Sequence, residues 1–449
     1  MNMNELIIKK RNGGVLSEEE IRFIVDGYTD GSIPDYQMSS FLMATWFKGM
    51  NDEETTILTL AMAESGDMLD LSDIFDDKKR IIDKHSTGGV GDKTTLIIGP
   101  ILAALGVPVA KMSGRDLGHT GGTIDKLESI PGFSSDLSEE EFTEQVRTVG
   151  FSDMCQTKNL APADKKIYAL RDVTGTVDNY SLIASSVMSK KLAAGADGIV
   201  LDVKCGSGAF MKDIDSAKKL AEIMVNIGKN AGRDVTAVIS DMNEPLGRFV
   251  GNTLEVLEAL DVLRGGGDER LKELSVKLAA EMLRLAEKTA ASEKTAASDE
   301  SVMKDYIARI EEVIDNGAAL VKFREFVAAQ GGDTGFIDGT SELASARLMI
   351  PVKALKAGVL TGCDTEKIGT ACLTLGGGRE KLTDEIDPSV GIEINKHLGD
   401  SIDKGGLLAI IYANDEKKAE AAKKLILEAY SIEEGDAYHP EKLIKEIIR

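Results

Sequence analysis

Four short apolar runs in this chain each end in a glycine-rich loop: RIIDKHSTGGVGD from Arg80, VPVAKMSGRDLGHTGG from Val107, GIVLDVKCGSGAF from Gly198 and VTAVISDMNEPLG from Val235. Short apolar runs bounded by turn residues read as strands. The stretches between them are amphipathic, and strands that alternate with helices imply a mostly parallel sheet. A sheet of that kind holds ligands at its carboxyl edge, where the glycine-rich loops would gather.

Other textures flank these units. Residues 17 to 65 read as helices: Ser17 and Glu20 form a capping box, Pro34 can open a second helix, and apolar residues recur at helical spacing from Phe41 and Leu42 to Trp46. The stretch SLIASSVMSKKLAAG, 181 to 195, is helical and is expected to rejoin that block. Residues 268 to 330 are rich in Ala, Leu, Lys and Glu and read as long helices. They include an immediate EKTAAS repeat, 287 to 292 and 293 to 298, best explained as a surface loop or helix extension. Beyond Ser341 short strands return, and GIEINKHLGDSIDKGGLLAIIYAN spaces its glycines as lipoyl or biotinyl carrier barrels do. It has no lysine in an exposed turn with a modification motif, so a carrier or plain binding protein is the weaker reading. The expected architecture is α/β multidomain: a small all-helical domain (1–70 plus 160–195), a large mostly parallel α/β domain (71–159 plus 196–335) and a C-terminal α+β domain with barrel-like strands (336–449).

Composition removes several functions. Seventy-five acidic against 53 basic residues give a net charge of −22, so no basic stripe for nucleic acid can dominate the surface. The longest uncharged apolar run, 96 to 110, is too short for a bilayer and is broken by Gly99, Pro100, Gly106 and Pro108. The start of the chain lacks a secretory pattern, which points to the cytoplasm. Cys155, Cys205, Cys363 and Cys372 show neither CxxC nor zinc-ligand spacing and read as reduced structural thiols.

The first loop, Lys84 to Thr95, follows a strand and precedes an apolar helix, where backbone N–H groups and a helix N-terminus face an anion. Lys84, Ser86 and Thr95 would complete a phosphate cradle. Asp92 stands where a Walker A loop needs Gly, and Thr94 where a dinucleotide fingerprint needs its last Gly. The second loop adds Lys111 and the hydroxyls of Ser113 and Thr123; its His119 reads as structural. In a third stretch, 156 to 191, Ser186 and Lys190 share a helix face, and Arg171 is expected to join them against a flat heterocycle with carbonyl acceptors, such as a pyrimidine.

SGRDLGHTGGTIDKLE closely resembles the signature of the thymidine and pyrimidine-nucleoside phosphorylase family. KHSTGGVGD, APADKKIYALRDVT, IASSVMSKK and DVKCGSGAF resemble its other landmarks in the same order, over nearly the whole chain. The resemblance implies a homodimer without organic cofactor that carries out reversible phosphorolysis of pyrimidine nucleosides (uridine, thymidine, deoxyuridine) to free base and (deoxy)ribose 1-phosphate. Lys84, Ser86, Thr95, Lys111, Ser113 and Thr123 would bind phosphate. Arg171, Ser186 and Lys190 would bind the pyrimidine, with His85, Arg171 and Lys190 catalytic. Lys111 resembles the broad-specificity members, where thymidine phosphorylases usually carry Met. Asp116 stands where the signature has Gly or Ala. Gly91, Leu246 and Glu258 resemble a potassium site, but Lys93 occupies a position that is often Thr, which puts the ion in doubt. An anthranilate-type phosphoribosyltransferase shares a helical-plus-α/β plan; the SGR…TGGTxDxLE stretch and the added C-terminal domain count against it.

Overall fold

The computed structural model describes residues 1–449 except 76–78, 116–120, 158, 289–298, 382 and 436–437. Asp116, His119 and nearly all of the EKTAAS repeat therefore lie outside the described residues. The chain opens with four helices, α1 (Met3–Arg11), α2 (Glu18–Asp30), α3 (Asp35–Lys48) and α4 (Asp52–Ala63). The first strand and helix units are β1 (Ile82–Ser86), α5 (Thr94–Ala104), β2 (Val109–Ser113), α6 (Thr123–Leu127), α7 (Glu139–Thr148) and β3 (Phe151–Cys155). Next come α8 (Pro162–Thr174), α9 (Tyr180–Ala193), β4 (Gly198–Cys205), α10 (Ile214–Asn230), β5 (Asp234–Asp241), β6 (Phe249–Val250) and α11 (Asn252–Leu263). The helices α12 (Glu269–Ala286), α13 (Asp299–Asp315), α14 (Ala318–Ala329) and α15 (Gly335–Asp338) lead to the last block. That block holds β7 (Leu348–Lys353), β8 (Gly358–Cys363), α16 (Thr365–Leu375), β9 (Gly391–Ile394), β10 (Ser401–Ile402), β11 (Leu407–Ala413), α17 (Glu416–Ala429), β12 (Tyr430–Glu433) and β13 (Ile444–Ile448).

The central sheet has the order β13-β5-β4-β1-β2-β3, parallel except for β13. Its strands bury both faces by alternation: Ile199, Leu201 and Val203 enter one apolar core with α9 and α10, whereas Val200 enters the opposite core with α5, α11 and α12. Strand order reverses between β1 and β4, which opens a crevice at their carboxyl ends, the place where such sheets bind ligands. The helical block closes around Ile21, Ile24, Val25, Phe41 and Leu58, and Ala163, Ile167 and Leu182 of α8 and α9 join that core. The Ser17–Glu20 capping box is present. Helix α9 bridges the two bodies, since its Ala184, Met188 and Leu192 pack into the core under the sheet.

The C-terminal block contains two antiparallel sheets, β10-β8-β12 and β6-β9-β11-β7. Two strands depart from the expected division at residue 336. Strand β6 comes from the preceding segment and pairs with β9, and β13 leaves the C-terminal block to pair antiparallel with β5. Edge protection explains the second: β13 covers the open backbone of β5. The four cysteines are free thiols. Among the described residues no helix is long and apolar enough to cross a membrane.

Candidate active site

In the middle of β1, Lys84 is almost wholly buried and donates to the Thr94 hydroxyl at 2.7 Å, with Asp92 and Asp202 each 3.9 Å away. Ser86 donates to Asp92 at 2.5 Å, and the other oxygen of Asp92 accepts from the Thr94 hydroxyl at 2.7 Å. Lys204 on β4 pairs with Asp202 at 2.7 Å and lies 3.8 Å from Asp92. Burial alone would push the Asp92 carboxyl up; Lys204, Lys84 and the Ser86 hydroxyl overcome it and hold the group well below the usual carboxylate range. Asp92 is thus an ionised hub that fixes the first glycine-rich loop, while Thr94 and Thr95 open α5 beside it.

On β2, Lys111 lies 3.9 Å from Asp83, and Ser113 donates to Asp153 of β3 at 2.9 Å. Burial raises the Asp153 carboxyl to about 6. Thr123 is the first residue of α6, which is tied down from two sides. Lys126 donates to the Asp92 carbonyl at 2.6 Å and pairs with Glu255 at 2.8 Å, and Arg379 of the C-terminal block reaches Asp125 at 2.7 Å.

On α9, Lys190 pairs with Asp164 at 2.7 Å and lies 3.4 Å from the Ser186 hydroxyl, so these two expected residues do meet. The neighbouring Lys191 points under the sheet to Asp83 at 2.9 Å and to the Met112 carbonyl at 3.1 Å. Burial, only partly offset by Asp83, lowers the Lys191 ammonium to about 8. Arg171 stands apart from the expectation of a free base-binding fork. It is 1% exposed, and its three nitrogens donate to the carbonyls of Thr176, Leu182 and Val177 at 3.1, 3.0 and 2.6 Å. The turn between α8 and α9 needs donors for these carbonyls, and the guanidinium supplies them.

His85 joins the three motifs. Burial lowers its pKa well below 6.5, and Lys191, Lys111, Lys84 and Lys190 lower it further. The imidazole is therefore neutral at pH 7 and can donate a hydrogen bond, whereas a transferable imidazolium proton is disfavoured.

Gly91, Leu246 and Glu258 also come together. A Cβ at Gly91, whose φ is +76°, would lie 2.7 Å from the Leu246 carbonyl oxygen. The Lys93 ammonium lies at this cluster, bonded to the Glu258 carboxylate and, at 2.7 Å, to the Phe249 carbonyl. A potassium ion would lie against that charge, so the residues present do not fit one. Among the described residues no group of three or more His, Cys, Asp or Glu is placed to hold a metal ion.

Asp83, Asp153, Lys191, Asp202 and Lys204 were not singled out from the sequence. The signal was there in part: β4 is buried at every position, so a charge within GIVLDVKC must find a partner.

Three sequence profiles match the chain: the helical bundle domain of a glycosyl transferase family over residues 4–66, the a/b domain of a glycosyl transferase family over 78–320, and a pyrimidine nucleoside phosphorylase C-terminal domain over 359–433. The fold and its loops thus define a glycosyl transferase with a helical bundle and an a/b domain. Pyrimidine-nucleoside phosphorylases from Geobacillus stearothermophilus and Bacillus subtilis are each 52% identical to the chain over 425 residues, 95% of both chains. The chain belongs to the pyrimidine-nucleoside phosphorylase family. Among solved structures, anthranilate phosphoribosyltransferase from Thermus thermophilus matches with a TM-score of 0.55 at 20% identity, covering 72% of this chain and 98% of its own. That likeness is one of fold.

Proposed function

We propose that Lys84, Lys111, Lys190 and Lys191, of which Lys111 and Lys191 both face Asp83 and Lys190 is held by Asp164, form with His85 the centre at which this chain carries out the reaction of its family, phosphorolysis of pyrimidine nucleosides. Phosphate enters at the β1 and β2 loops against Lys84, Lys111, Ser86, Ser113, Thr95 and Thr123. Ser86 and Ser113 exchange their carboxylate partners for the anion. Positioning turns a bimolecular encounter into an aligned attack on C1′. Negative charge then grows on the leaving base, where Lys190 stabilises it, Ser186 hydrogen-bonds it and His85 donates a hydrogen bond. Arg171 acts from behind, by holding the turn that presents α9. The surface charge of −22 is screened beyond about 8 Å at physiological salt, so the local lysines govern anion binding.

An exposed stripe on α3, with Tyr36 at 72% and Phe47 at 70%, together with exposed Tyr168 and Val173 on α8, favours burial against a second copy and hence a homodimer. Uridine and thymidine are both proposed substrates, and the cytoplasm the compartment.

Base release from uridine is expected to require inorganic phosphate and to yield ribose 1-phosphate, followed by chromatography of base and sugar products. Free ribose formed equally well without phosphate would show a hydrolase and reject the reading. A pH dependence is also expected. As pH rises through about 8, Lys191 loses its proton and the field on the anion weakens, so KM for phosphate should climb while the native fold persists. The stability sign is opposite: the depressed value contributes stability above the unfolded 10.5 that is lost as pH falls through about 8. A phosphate KM that is flat across this range would remove Lys191 from the field.

A further inference from the structure

We infer that Lys93 is a cation built into the chain, a positioning residue that takes the place of a bound monovalent ion beneath the first glycine-rich loop. The side chain is fully buried. Its ammonium meets the Glu258 carboxylate and the Phe249 carbonyl. Glu258 is itself buried and accepts the backbone N–H groups of Arg248 at 2.6 Å and Phe249 at 3.1 Å. The Leu246 carbonyl stands against Gly91, and the Leu246 N–H donates back to the Val90 carbonyl at 3.0 Å. Carbonyl and carboxylate oxygens that converge in this way are the donors a hard cation takes. One unit of negative charge in such a cage needs one unit of positive charge, and the Lys93 ammonium supplies it.

The tether has a consequence for the loop. Lys93 is the N-cap residue of α5, where its own side chain makes no capping bond; it reaches across to β6 and α11 instead. Asp92, the hub that engages Ser86, Lys84 and Lys204, is the preceding residue. The distance from α5 to β6 is therefore fixed by a covalent stem and does not depend on the potassium concentration of the medium.

The experiment compares the native protein, Lys93→Thr and Lys93→Met in potassium chloride and in tetramethylammonium chloride at equal ionic strength. Melting temperature and kcat/KM are read for each. The melting readout stands even if the proposed reaction is wrong. Native protein should show the same values in both salts. Lys93→Thr opens the cage, so its turnover should fall at least about tenfold in tetramethylammonium and return with potassium, and its melting temperature should rise with potassium. Lys93→Met fills the space without a charge, and its loss should be insensitive to either salt. A native melting temperature that rises specifically with potassium, or a folded Lys93→Thr indifferent to potassium in both readouts, overturns the inference.

Discussion

Replacing Lys190 by alanine is expected to lower kcat/KM for uridine by at least about a hundredfold. One lost charge-stabilising contact in a dry site is worth about 3 kcal/mol of barrier. Lys190 is the more exposed cation: its side chain is 25% exposed, against 3% for Lys84 and 2% for Lys191. The fall should sit mainly in kcat, because charge on the base appears only as the glycosidic bond breaks. The variant also leaves Asp164, which is buried, without its 2.7 Å partner, so the Lys190→Met, Asp164→Asn pair controls for a simple loss of folding. Arg171→Ala acts differently. It frees three backbone carbonyls and loosens the start of α9, so a melting-temperature loss should accompany its kinetic defect. Near-native turnover in a folded Lys190→Ala would take Lys190 out of the site.

The sequence made the loops legible because glycine, hydroxyl and cation stand next to one another in each, at the end of an apolar run. The capping box of α2 and the pairing of Ser186 with Lys190 were legible for the same local reason. Arg171 was not. A guanidinium looks alike in sequence whether it faces a ligand or three main-chain carbonyls, and the turn it serves gives no local sign of lacking donors. Strand β13 was hidden because its partner β5 lies about two hundred residues away, and nothing near Ile444 specifies that pairing. The charges under the sheet were half visible: an Asp or Lys in a buried strand demands a partner, but only the register of β1 on β4, Ser86 beside Asp202, shows which loop it supports.

That support is the basis of the second large effect, in stability. Lys204 and Asp202 are both fully buried and 2.7 Å apart, and Asp202 also accepts from Ser240 at 2.5 Å. Burial lowers the Lys204 ammonium, but Asp202 and Asp92 more than compensate, so its pKa lies above 10.5. A raised folded value contributes stability that is complete below 10.5 and is lost as pH rises through the folded value. Lys204→Met strands Asp202 and weakens the hold on Asp92, and removing one partner of a buried pair costs about 3–5 kcal/mol. Denaturant unfolding at neutral pH should show a loss of that size. The Lys204→Met, Asp202→Asn double variant should recover much of it, because no unpaired charge remains. The Asp92 contribution runs the other way with pH: its depressed carboxyl stabilises above 3.8 and fails as acid reaches the lower folded value. The native protein should therefore lose stability toward both extremes, and Lys204→Met should lose it at higher pH on the acid side, since Asp92 then has one cation fewer. An acid unfolding midpoint unchanged by Lys204→Met would mean that the β4 pair and the first glycine-rich loop are not electrostatically coupled.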